Sequence, residues 1–143
     1  LAVGLPLYQS HGVASDSFIE LAGAQAAEGV RLPGTALLVA GLLPESDPQY
    51  AVVKAYKEAY EKATGKPVST FGGYAHDAFA ILVDAIKRSG GSESSAIRDA
   101  IEATSGLVGT TGTVTMSPTD HLGLDLSAFR MLEIQKGGWK IVE

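Results

Sequence analysis

Cysteine is absent from this chain. No disulfide can staple it and no thiolate can hold zinc or attack a substrate, while nothing about its redox compartment follows. Histidine is scarce: His11, His76 and His121 lie too far apart for a His-Glu-x-x-His helix or a cluster at metal-ligand spacing. No metal and no cofactor are therefore expected. No apolar run approaches the ~18 residues of a membrane-spanning helix. Excess positive charge is lacking as well, and a net charge of −5 works against nucleic acid or an anionic membrane as partner. The seventeen glycines form neither a Walker loop nor a dinucleotide fingerprint, and there is no Gly-x-Ser-x-Gly elbow.

What is present is a globular composition, 45% hydrophobic and 19% charged, over 143 residues, enough for one ordinary domain. Leu1 stands within a few residues of a first apolar strand. So abrupt an opening is expected of a piece of a longer chain.

Three regimes follow along the sequence. Residues 1–43 read as strand, helix, then one or two further strands. Ser15, Asp16 and Ser17 are competent N-caps, Ser17 and Glu20 have capping-box spacing, and Gly23 can close the short helix that carries Phe18, Ile19 and Leu21. The apolar stretch Val30 to Leu43 is expected to be extended, with a break or bend at Pro33-Gly34. Residues 44 to about 105 are helical. Asp47-Pro48 signals an N-terminus, and Val52, Val53, Tyr56, Ala59, Tyr60 and Ala63 mark one helix face up to Thr64-Gly65-Lys66-Pro67. A second helix is predicted from about Gly72 to Arg88, apolar around most of its circumference and so largely buried. A third runs from Ser94 to Thr104. Residues 106–143 return to extended chain, with a weak strand over 111–116, a turn over 117–120 and a hairpin around Lys136-Gly137-Gly138.

His11 is the most informative candidate. It stands in Gln9-Ser10-His11-Gly12-Val13, where a strand ends in a polar loop that opens into a helix, and the carboxyl ends of strands are where open α/β sheets bind ligands. Gly12 permits close backbone approach, and the helix N-terminus favours negative charge. A loop histidine bonded to backbone is the plainer alternative. His76-Asp77 and Asp120-His121 resemble acid–base pairs, yet adjacent residues point in different directions and need not form dyads. Ser69 and Phe71 stand at the entrance of the second helix and face a cleft if two lobes meet there. Tyr74 and Trp139 read as packing residues.

The segments LPLYQSHGVAS, FIELAGAQAAEGVRLPG, TFGGYAHDAFAILVDAIKRSGG, IRDAIEATSGLVGTTGTVTMSPTDHLGLD and MLEIQKGGWKIVE resemble, in this order, the C-terminal half of type I periplasmic substrate-binding proteins. These are receptors of ABC importers, here of the branched-chain amino-acid (Leu/Ile/Val-binding) family. The resemblance covers nearly the whole chain. It implies an α/β fold, a fragment of a two-lobed flytrap with ligand held between lobes joined by three crossovers. Residues 1–43 would belong to the C-terminal lobe, 44–120 to the N-terminal lobe after a crossover, and 121–143 to a return crossover and a C-terminal hairpin.

The resemblance also gives His11 a task. In the family's amino-acid receptors the matching loop position carries a glutamate that pairs with the ligand's ammonium group. His11 cannot supply that fixed charge, and as a donor or a cation it suits a carboxylate. His-Gly-Val resembles the branch that takes up aromatic and other organic acids. The expected ligand-binding set is His11, Ser10 and Gly12, with Ser69 and Phe71 from a second crossover. The expected function is non-enzymatic: a periplasmic receptor passing a small organic acid, most readily an aromatic carboxylate, to a membrane permease. The alternatives are an amino-acid receptor, a sensing domain of the same fold in a signalling receptor, and a hydrolase fragment using His11 or His121. By itself the piece is expected to self-associate or to pair with the N-terminal half.

Overall fold

A computed structural model of the chain describes residues 4–142. Its centre is a three-stranded antiparallel sheet in the order β1 (Arg31–Thr35), β4 (Phe129–Gln135), β5 (Gly138–Ile141). β4 and β5 form the expected hairpin. Lys136 and Gly137 both take positive φ (54° and 73°), the conformation a two-residue turn needs if its twist is to match the strands.

Pro33 does not break the extended chain. The backbone N–H and C=O of Arg31 bond outward, to Leu7 and Gln9, so Pro33, two residues on, turns its missing donor away from β4 and no ladder bond is lost. The break comes later. Residues Ala36–Leu42 leave the sheet as 3-10 turns, not as a further strand. The expected first strand is also reduced. Around Tyr8 the chain lies parallel to β1 through one bridge at Arg31, and Pro6 limits it to little more.

Before the sheet come α1 (Asp16–Ala22) and α2 (Ala24–Ala27); after it α3 (Tyr50–Thr64), α4 (Thr70–Ser89) and α5 (Ser94–Glu102). β2 (Leu107–Val108) and β3 (Thr113–Val114) form a separate small ladder, so only two residues of the expected 111–116 strand pair. Trp139 is in the core as expected, and its indole N–H donates to Asp16 at 2.9 Å, tying the hairpin to α1.

The core is one cluster built from Ile19, Val30, Leu32, Leu37, Leu132, Ile134 and Trp139, and Val53 of α3 belongs to it. α3 shares the sheet's core, whereas α4 and α5 pack mainly on each other. Nor is α4 buried all round. Phe79 is 67% exposed, and Leu82 and Ile86 share its open apolar face. Leu132 has no exposed surface between β1 and β5, so Leu132→Ala is expected to cost about 2–5 kcal/mol in a denaturant titration.

Candidate functional site

His11 stands at the start of a single 3-10 turn, His11–Val13, whose N-cap Ser10 accepts a bond from the Gly12 N–H at 3.3 Å. The Ser10 hydroxyl thus shapes the loop, and Gly12 supplies that amide. The imidazole leans on Phe129 with ring centroids 5.8 Å apart. Phe129 is the cross-strand partner of Thr35, the last residue of β1. His11, Thr35 and Phe129 therefore meet at the carboxyl end of a strand.

They line a cavity of about 520 Å³. Its far wall is one side of α4, with Tyr74, Asp77, Ala78 and Ile81. Its floor and rim come from Thr111, Val114 and the run Leu122, Leu124 and Leu126. The lining is mostly apolar, the composition of a ligand pocket with a few placed polar groups.

Ser69 and Phe71 divide. Ser69 is the N-cap of α4, where its Oγ accepts from the Gly72 N–H at 3.1 Å, and it borders a separate depression beside Leu37 and Lys57. It is not brought to His11. Phe71 is 60% exposed and touches the site indirectly, edge-on to Tyr74 at 6.0 Å.

Asp77 is the most engaged group. Its carboxylate is buried and accepts from the Thr110 N–H (2.9 Å) and hydroxyl (3.1 Å) and from the Thr111 N–H (2.8 Å) and hydroxyl (2.6 Å). Burial pushes its pKa up, but the bonds from Thr111 and Thr110 outweigh that and hold it below the usual carboxylate range. His76 does reach its neighbour, with Nδ1 3.1 Å from Oδ1. That contact makes no free base of Asp77, whose oxygens already serve the loop. The loop also depends on glycine: a Cβ on Gly109 would stand 2.5 Å from an Asp77 oxygen. His121 lies elsewhere, 3.3 Å from Glu102. Asp120 accepts from the N–H groups of Leu122 and Gly123, as a turn residue does. Among the described residues no three His, Asp or Glu side chains could hold a metal ion.

A polar knot joins the helical part to the sheet. The Gln49 side chain donates to the Gly109 carbonyl at 2.9 Å and accepts from Arg130 at 3.2 Å, while Arg130 also donates to Asp47 at 2.8 Å. Asp47 is not the expected N-cap: α3 begins at Tyr50 with Gln49 as its cap, and Asp47 serves the knot and the turn before it, accepting from the Gln49 N–H.

Sequence reasoning put His11 at a strand end and named Asp77 and Tyr74 on other grounds, but did not foresee the cavity they share. Leu122, Leu124 and Leu126 carried a visible period-two signal. Thr35, Tyr74 and Phe129 carried none, because only the strand pairing and the α4 packing bring them together.

A family model described as periplasmic binding protein matches residues 2–138. The chain belongs to the type I periplasmic binding protein family. Among solved structures, this binding-protein chain superposes on an extracellular ligand-binding receptor from Rhodopseudomonas palustris HaA2 with a TM-score of 0.85 and 30% identity, covering 94% of this chain and 39% of that one. A putative branched-chain amino acid ABC transporter protein from Rhodospirillum rubrum matches with a TM-score of 0.72 and 32% identity over 99% of this chain and 38% of that one. The branched-chain amino acid transporter substrate-binding protein LivJ from Streptococcus pneumoniae, solved with isoleucine, shares the fold with a TM-score of 0.74 at 22% identity, over 99% and 38%. No curated protein matched the chain. The binding-protein chain thus spans about two fifths of the length of these relatives and has the α/β fold of part of a two-lobed receptor.

Proposed function

We propose that this chain is part of an extracytoplasmic, non-enzymatic solute receptor that binds a small organic acid, an aromatic carboxylate, and delivers it to an ABC permease. The observation that carries the reading is His11 against Phe129 on the wall of a mainly apolar cavity. An imidazole donates to a carboxylate, and the apolar walls suit a ring. The chain's likeness to an extracellular ligand-binding receptor and to a putative ABC transporter protein supports the receptor class and the location outside the cytoplasm. No helix among the described residues is long and apolar enough to cross a membrane.

In this reading one lobe holds the sheet, α1–α3 and the C-terminal hairpin, and the other holds α4, α5 and the β2–β3 ladder. The open face of α4 is covered by polypeptide that the relatives have and this chain does not match. Closure of the lobes over ligand is a hinge-type population shift that presents a surface to the permease. Alone, the chain is expected to bind weakly and to self-associate through that face.

NMR titration with benzoate tests the site at millimolar affinity. His11→Ala is expected to weaken benzoate about tenfold, since a hydrogen bond to a charged group contributes roughly 1.5–3 kcal/mol. Unchanged affinity would remove His11 from the site. A second reading rests on Asp125, which also lines the cavity. If it pairs with an ammonium group, the ligand is an amino acid, and Asp125→Asn lowers the affinity for leucine while benzoate does not bind.

A further inference from the structure

We infer that the hydroxyl of Thr35 is a specificity group of the His11 cavity, selecting carboxylates that carry a second oxygen. The inference rests on the reading of that cavity as a ligand site.

Thr35 is only 4% exposed, and its Oγ1 is buried with no hydrogen-bond partner among the described residues. Folded proteins pair nearly all such groups, and each exception asks for a reason. Packing supplies none. On its face of the sheet Thr35 pairs across the strands with Phe129, and valine would fill the same space with no polar atom to satisfy. Asp77 cannot be the hydroxyl's partner, for its oxygens are already occupied by Thr110 and Thr111.

Position supplies the reason instead. Thr35 lines the same cavity as His11, and the two flank the ring of Phe129 at the carboxyl end of β1, where open α/β sheets take ligands. A threonine hydroxyl both donates and accepts, so a hydroxyl or keto oxygen on the ligand satisfies it. One staggered step about χ1 re-aims the hydroxyl. A ligand anchored on His11 by its carboxylate then meets a second polar contact. A ligand without that oxygen leaves the buried hydroxyl unpaired.

The test is Thr35→Val, which keeps the shape, with the chain titrated by NMR against benzoate and each of the three monohydroxybenzoates. At least one hydroxybenzoate is expected to bind the natural chain more tightly than benzoate and to lose about tenfold in the valine variant. Benzoate is expected to stay within about twofold. The free valine variant is expected to melt no lower than the natural chain, because an unpaired hydroxyl has been removed. Thr35→Ser keeps the hydroxyl and should keep the preference, which covers a valine variant that fails to fold. Parallel changes for all four acids, or no hydroxybenzoate preferred over benzoate, overturn the inference. If benzoate binding depends on His11 while Thr35→Val is silent, only the role of Thr35 falls. If benzoate does not bind, or ignores His11→Ala, the cavity reading falls and this inference with it.

Discussion

Asp77→Ala is expected to destabilise the chain by about 3 kcal/mol or more, a large share of a domain's usual 5–15 kcal/mol. Two amides and two hydroxyls of Thr110 and Thr111 lose their acceptor at once. Each buried donor left unpaired costs roughly 1–3 kcal/mol. A denaturant titration at neutral pH reads the loss. The pH dependence carries the sign of a depressed carboxylate. Burial alone would raise the pKa of Asp77, yet the threonine bonds lower it. Its contribution is therefore fully present above the unfolded value, about 3.9, and is lost as pH falls through the lower folded value. The gap between natural chain and variant should stay constant from pH 7 to about 5 and narrow only below about 4. A gap that closes near neutrality would mean that the carboxylate is not the group that matters.

His11→Glu should invert ligand preference. A carboxylate ligand would meet a like charge beside Phe129, a penalty of several kcal/mol, so benzoate affinity should fall by about a hundredfold or more. An α-amino acid such as leucine should gain, since glutamate can pair with its ammonium group. His11 is exposed in its turn, and the substitution should leave the melting temperature nearly unchanged. Parallel titrations with benzoate and leucine decide the matter. A variant that keeps its benzoate affinity would show that His11 does not face the ligand's charge.

Features set by near neighbours were legible in the sequence. The hairpin over residues 129–141 needed only alternation and a glycine turn, and the end of α3 followed from Gly65, whereas its start at Tyr50 and the Ser69 cap of α4 did not follow from the residues nearby. Features set by distant partners were not. Asp77 reads in sequence as half of a pair with His76, and its structural task appears only when Thr110 and Thr111, more than thirty residues on, close over it. Residues Ala36–Leu42 are apolar throughout, so no period separates a strand from 3-10 turns there. The circumference of α4 reads as buried because its composition asks for cover that these described residues do not provide. His11 was legible for the opposite reason: its place after an apolar strand and before a helix is a local pattern with a chemical meaning.

The pairing of β1 with β4 also sets a clock. Arg31 meets Glu133 across a separation of 102 residues. Closing so long a loop is entropically slow, and the contact rewards the chain only at the end. At about 5–20 residues per second, a ribosome that has finished β1 needs roughly 5–20 s to deliver its partner. Through that interval the edge of β1 that β4 will cover stays unpaired. A strand that waits with an unpaired edge is the kind of transient exposure that chaperones shield.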